Sequence, residues 1–257
     1  MAITNPAKIG WHYMWSQDYA FFHNYLQDSI KESEFVLKPT FIDQSVFDKG
    51  LYTIKTEDRA NTNAWQGCLI KVDYLINLLK TTARESPLQT HIFFTDADII
   101  VKPGIYNILK PHIDAGTSMT FLKEGGHLNI GCMLLKVCPE VVEFWELVKA
   151  KVIENPKHLD QGYVNDMIAE YSGTWSAFDK RLMVCSNEYN QNPHCLLLQI
   201  LSSNIGKEFH VAEKLFFAAQ LGVYMEKYMK YVPEHIIPYI HKFQDMLAKH
   251  RKSLGSA

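Results

Sequence analysis

The chain has 257 residues, with 26 Lys+Arg against 28 Asp+Glu for a formal net charge of −2, and 47% of it is apolar. That length and apolar content fill one large core, which excludes a disordered chain and a disulfide-stapled miniature, and the near-balanced charge leaves no basic field for a nucleic-acid backbone. The five cysteines include no CxxC pair and point to reduced thiols. No basic leader, no run of about 18 apolar residues and no Asn-x-Ser/Thr sequon stands in the sequence, so the expected protein has no transmembrane segment and is cytoplasmic.

Ile9 to Met14 reads as a short strand, and Tyr19 to Lys31 as a helix with Phe21, Phe22, Tyr25, Leu26 and Ile30 at helical spacing. Phe35 to Ile42 reads as a second strand. Asn63 to Leu79 reads as a long helix with Trp65, Leu69, Val72, Ile76 and Leu79 on one face. His91 to Thr95 is a short apolar run suited to a central strand, and Pro103 opens the helix after it. Thr117 to Leu122 and Asn129 to Val137 read as strands around the Gly125-Gly126 loop, Pro139 starts a helix, and Asp160 to Ala169 forms another. Ser186 to Gly206 is irregular, and helices follow from Leu221.

This alternation predicts an α/β fold with parallel pairing and covering helices. No repeat or linker divides the chain, so residues 1–220 read as one domain and residues 221–257 as a helical tail packed on it. The basic, Tyr- and Met-rich tail also suits peripheral contact with a membrane surface.

The chemistry concentrates in His91-Ile-Phe-Phe-Thr-Asp96-Ala-Asp98-Ile-Ile-Val101, where a buried strand delivers two acidic residues at positions i and i+2. Two carboxylates at one strand end can share one cation, and oxygen ligands suit Mg²⁺ or Mn²⁺ gripping a diphosphate. The alternative is a solvated loop, or a helix cap served by Asp98.

The strand ending in FFTDADIIV resembles the Asp-x-Asp segment of the GT-A nucleotide-diphospho-sugar glycosyltransferases. Asn129-Ile-Gly131-Cys-Met-Leu-Leu is similar to that family's Asn-x-Gly strand, and Asp160-Gln161 to the Asp-Gln that opens its following helix, all in the family's order. With the early helix the similarity spans roughly residues 8–215 and is nearest to the retaining group related to glycogenin and the galactosyltransferases. It implies a single GT-A (Rossmann-like) domain with a mostly parallel central sheet flanked by helices. It also implies a transferase moving a sugar from a nucleotide-diphosphate donor to a glycan or other hydroxyl acceptor, with Mn²⁺ or Mg²⁺ as cofactor.

The resemblance carries roles to particular residues. Asp98 is the principal metal ligand, Asp96 reaches the metal or the ribose, and His210, rather than His194, completes the metal shell, with Lys214 facing the leaving diphosphate. The Gly, Pro and Trp of the family's fuller His-x-x-Gly-x-Lys-Pro-Trp pattern are missing here. Lys71 stands near the phosphates, with a solvated helix lysine as the alternative. Asn129 and Gly131 lie against the sugar, or else form a hairpin turn. Asp160 and Gln161 flank the transferred sugar, or Asp160 caps its helix. Tyr13, beside Trp11 and His12, stacks on the nucleobase, or packs in the core.

Two other classes compete. A HAD-type phosphatase also places Asp-x-Asp after an apolar strand, but needs Thr or Val where Ile100 stands. A non-catalytic nucleotide-sugar binder would keep the fold without turnover.

Overall fold

Ile9–Trp15 (β1) and His91–Thr95 (β3) lie side by side in parallel, each an apolar run buried on both faces as a central strand requires. The computed structural model describes residues 8–43, 45–46, 63–155, 158–201, 210–221 and 225–254. Phe35–Phe41 (β2), Met119–Glu124 (β5), His127–Lys136 (β6) and Trp175–Ala177 (β7) complete a six-stranded sheet in the order β2-β1-β3-β6-β5-β7. Three short strands, Ile99–Val101 (β4), Met183–Cys185 (β8) and Leu197–Gln199 (β9), form a second sheet in the order β4-β9-β8.

Side-chain alternation along β3 divides the core. Phe93 joins Trp11 and Tyr13 under Ala20–Ser29 (α1) and Ile105–Asp114 (α3), while Ile92 and Phe94 pack under Asn63–Glu85 (α2), Pro139–Glu154 (α4) and Asp160–Met167 (α5). Leu69, Val72, Ile76 and Leu79 are all buried along α2, as their spacing predicts; the Trp65 side chain lies outside the described residues. His210–Gln220 (α6), Met225–Met229 (α7) and Ile237–Leu254 (α8) follow. Leu215, Tyr228, Ile236 and Ile240 from this region enter the same cluster as Trp11, so the tail packs into the main core. No helix among the described residues is long and apolar enough to cross a membrane.

Parallel pairing holds for β2-β1-β3 and for β5-β7, and is corrected at β6, which runs antiparallel to both β3 and β5. The cause is local. Gly125 adopts φ +56° in a two-residue turn between Glu124 and His127, and a tight hairpin reverses the chain. The β5–β6 register then breaks after Phe121, whose partner is Met133, while Leu122 pairs with Asn129. Residues 130–132 therefore bulge out of the β5 ladder, and Cys132 and Gly131 meet the end of β3.

Candidate active site

The Asp-Ala-Asp segment is the joint between the two sheets. Asp96 leaves β3 with its backbone N–H donating to Gly131 O at 2.7 Å, and Asp98 leads into β4 with its carbonyl accepting from Ile200 N at 2.9 Å. Because a strand follows Asp98, the helix-cap alternative does not apply. Ile99 pairs with Gln199, which brings the buried Gln199 side chain against the acidic pair, where its Nε2 donates to Asp96 Oδ2 at 3.0 Å.

Each carboxylate has its own ammonium. Lys71 on α2 donates to Asp96 Oδ1 at 2.8 Å, and Lys214 on α6 donates to Asp98 Oδ2. The lysine side chains are only 15% and 12% exposed, so Lys71 is no solvated helix lysine. Burial works against both ammonium charges, but Asp96 beside Lys71 and Asp98 beside Lys214 outweigh it and hold both lysines above their ordinary pKa. Burial pushes the Asp98 carboxyl up.

Asp160 is the first residue of α5. It is buried, and its Oδ1 accepts from Gln161 N at 2.9 Å, so it partly satisfies its own helix end. Its carboxylate also acts on Lys71 and, after burial itself, helps to raise the Cys68 thiol pKa. Gln161 Oε1 accepts from Ile130 N at 3.3 Å, and Asn165 bonds both the N–H and the C=O of Leu128 at 2.8 Å, so α5 is hooked to the bulged part of β6. Asn129 is buried within β6 rather than in the turn. Its Oδ1 accepts from Gly131 N at 2.7 Å and its Nδ2 donates to Glu124 Oε2 at 2.8 Å. Gly131 permits a close approach, since a Cβ there would stand 2.0 Å from Gln199 Oε1.

A cavity of about 250 Å³ opens over this joint, lined by Trp15, Tyr19, Ile70, Asp96, Asp98 and Lys214. A wider polar groove of about 680 Å³ lies beyond the hairpin, lined by Glu124, His127, His158, Gln161, Asn165 and Asp166.

The structure thus brings Asp96, Asp98, Lys71, Lys214, Asn129, Gly131, Asp160 and Gln161 to one end of the sheet. It does not bring Tyr13 there: Tyr13 and Trp11 are fully buried, Tyr13 Oη meets His23 and Gln27, and Trp11 Nε1 donates to Thr95 Oγ1 at 3.0 Å. The aromatic faces at the cavity are Trp15 and Tyr19. The strand-like run expected around His210 is the start of α6. His210 is half-buried one turn before Lys214 and is not among the described residues lining the cavity, and His194 is exposed. Gln199 was missed by sequence reasoning; its only signal is one amide inside the apolar run Cys195-Leu-Leu-Leu-Gln199-Ile.

Among the described residues no three His, Cys, Asp or Glu side chains converge as a metal cluster. Asp98 Oδ1 and Gln199 Oε1 are nevertheless buried without a hydrogen-bond partner. Buried oxygens of this kind are costly unless something receives their lone pairs, and oxygen donors suit a hard divalent cation, so the residues present fit such an ion.

No protein-family model and no curated protein sequence matches the chain. Among solved structures, a glycosyltransferase involved in the glycosylation of the major capsid of PBCV-1 is similar with a TM-score of 0.52 at 12% identity, over 80% of this chain and 97% of that one. The apo form of mouse xyloside xylosyltransferase 1 is similar with a TM-score of 0.48 at 14% identity, over 78% of this chain and 99% of that one. The first likeness is one of fold. The chain shares with that glycosyltransferase a mixed α/β architecture, a mostly parallel central sheet flanked by helices.

Proposed function

We propose that the protein is a metal-dependent glycosyltransferase that moves a sugar from a nucleotide-diphosphate donor to a hydroxyl acceptor with retention of configuration. The observation that carries this reading is the convergence of Asp96, Asp98, Asn129, Asp160 and two half-buried, carboxylate-bonded lysines at the carboxyl end of β3, where open α/β sheets bind ligands. The nucleotide occupies the cavity beside Trp15 and Tyr19, with Lys214 in its lining turned to the diphosphate and Lys71, on Asp96, supplying a second positive charge. Asp98, Asp96 and the Gln199 amide oxygen would hold Mn²⁺ or Mg²⁺, which neutralises charge on the departing diphosphate.

The protein's own groups set the sugar in place. Asn129, its amide fixed by Glu124 and Gly131 N, keeps one N–H for a sugar hydroxyl. Asp160, buried and within the field of Lys71, steadies positive charge on the sugar. The groove beside Gln161 receives the acceptor, whose proton passes to the departing diphosphate. A phosphatase reading is less favoured, because Lys71 and Gln199 each engage one oxygen of Asp96, the residue that would have to attack.

The test is incubation with α-linked UDP- and GDP-sugars and Mn²⁺, following nucleoside diphosphate release and the anomeric proton of early product by NMR. Nucleoside diphosphate and an α-linked product are expected. A β-linked product overturns retention, inorganic phosphate turns the reading to a phosphatase, and thermal stabilisation by a nucleotide sugar without turnover turns it to a binder.

A further inference from the structure

We infer that Lys214 holds the place of the metal at Asp98 and that the cation enters only together with a diphosphate, which draws the lysine away. This rests on the metal reading of the site. Lys214 bonds Asp98 Oδ2 in a pair whose side chains are 12% and 7% exposed, while Asp98 Oδ1 and Gln199 Oε1 stay unpartnered. The carboxylate is therefore half claimed by a built-in cation. Lys71 does the same at Asp96 Oδ1. Asp96 and Asp98 are thus each paired with an ammonium before any ligand arrives, with the Asp160 carboxylate also acting on Lys71. A lone divalent cation there would stand beside both ammonium groups, whose side chains are only 15% and 12% exposed, and like charges so placed repel more strongly than in bulk water.

A diphosphate reverses that balance, because its negative charge offers the lysines a partner and frees carboxylate oxygens for the metal. Lys214 has room for this exchange. Its Nζ lies 5.6 Å from the centroid of the Tyr19 ring, which lines the same cavity, so the ammonium turns from Asp98 across an attractive aromatic face. Metal and nucleotide then bind as one unit, and the empty site does not hold a stray divalent ion.

Equilibrium dialysis of Mn²⁺ against the full chain tests this, with inorganic pyrophosphate present on both sides or absent, and with folding of each variant verified by circular dichroism. Lys214→Met should retain Mn²⁺ alone at least tenfold more tightly than wild type. Lys214→Arg, which keeps a cation, should match wild type, and Lys214→Met combined with Asp98→Asn should lose the gain. Pyrophosphate should tighten wild-type retention at least tenfold and Lys214→Met far less. Equal retention of Mn²⁺ alone by wild type and Lys214→Met, or no effect of pyrophosphate on wild type, overturns the exchange and leaves the metal reading standing. Absence of retention in every form under both conditions overturns both.

Discussion

Gln199 reaches Asp96 across 103 residues of sequence, its Nε2 donating to Asp96 Oδ2 at 3.0 Å over the bare Cα of Gly131. That contact ties the small sheet to the large one at the acidic joint. A methyl at Gly131 would stand 2.0 Å from Gln199 Oε1 and 2.1 Å from its Nε2, so Gly131→Ala must expel the amide. The expected result is at least a tenfold loss of sugar transfer, and Gly131→Ala combined with Gln199→Ala should be no worse than Gly131→Ala alone, since both remove the same contact. Additive losses in steady-state kinetics would separate the two residues.

Asp98→Asn should lower transfer by at least 10²-fold, because a catalytic metal contributes several kcal/mol and each ~1.4 kcal/mol is tenfold. EDTA should act comparably on the wild type. Full activity of Asp98→Asn in chelator would remove the metal from the mechanism.

Gln199→Ala should raise the Mn²⁺ concentration needed for half-maximal activity, and His210→Ala should leave it near wild type. The reason is contact: the Gln199 amide already meets Asp96 through its Nε2 and keeps a second, unpartnered amide atom buried at the joint, whereas His210 is the first residue of α6, one turn before Lys214. The reverse ranking would restore the imidazole as ligand.

His12 is buried in β1 beside Tyr74, with its Nε2 unpartnered; burial, then the Lys38 ammonium, lowers its pKa from 6.5 to about 4. The folded state therefore takes up this proton later than the unfolded chain. His12 adds no pH dependence above pH 6.5, costs stability as pH falls from 6.5 to 4, and levels off below. The loss amounts to about 3 kcal/mol at most. Burial lowers His23, His91 and His112 in the same direction, so the measurable quantity is a difference. Urea unfolding from pH 7 to pH 4 should show a shallower decline for His12→Gln than for wild type, and parallel curves would refute the assignment.

Glu32 serves the start of α3 from a distant loop, its carboxylate accepting from Gly104 N and Ile105 N at 3.1 Å and from Tyr106 N at 3.0 Å. Three otherwise unsatisfied donors and the positive helix end meet one negative group. Glu32→Ala should cost about 1–2 kcal/mol, read as a fall of several degrees in Tm. An unchanged Tm would mean that water replaces the carboxylate without loss.

The apolar run His91–Thr95, the helical spacing of Leu69, Val72, Ile76 and Leu79, and Pro139 at a helix start are local features, and sequence alone placed β3 and the starts of α2 and α4, though α2 runs on past Leu79 to Glu85. It also singled out Asp96 and Asp98, because charges at the end of a buried run need a partner, while Asn129 and Asp160 came from the resemblance to the GT-A glycosyltransferases. Other features depended on pairings far apart in the chain. The three-residue strands β4, β8 and β9 are too short to show a period and exist only because they pair with one another. The antiparallel β6 follows from a hairpin inserted between β3 and β5, and its register break decides that Gly131 meets Asp96. Aromatic residues are visible at positions 11, 13, 15 and 19, but only packing of α1 on β1 sends Tyr13 into the core and leaves Trp15 and Tyr19 at the cavity. The pairing of Lys71 with Asp96 and of Lys214 with Asp98 belongs to tertiary structure alone, since each joins a helix to the end of a strand and nothing local to either lysine marks its partner.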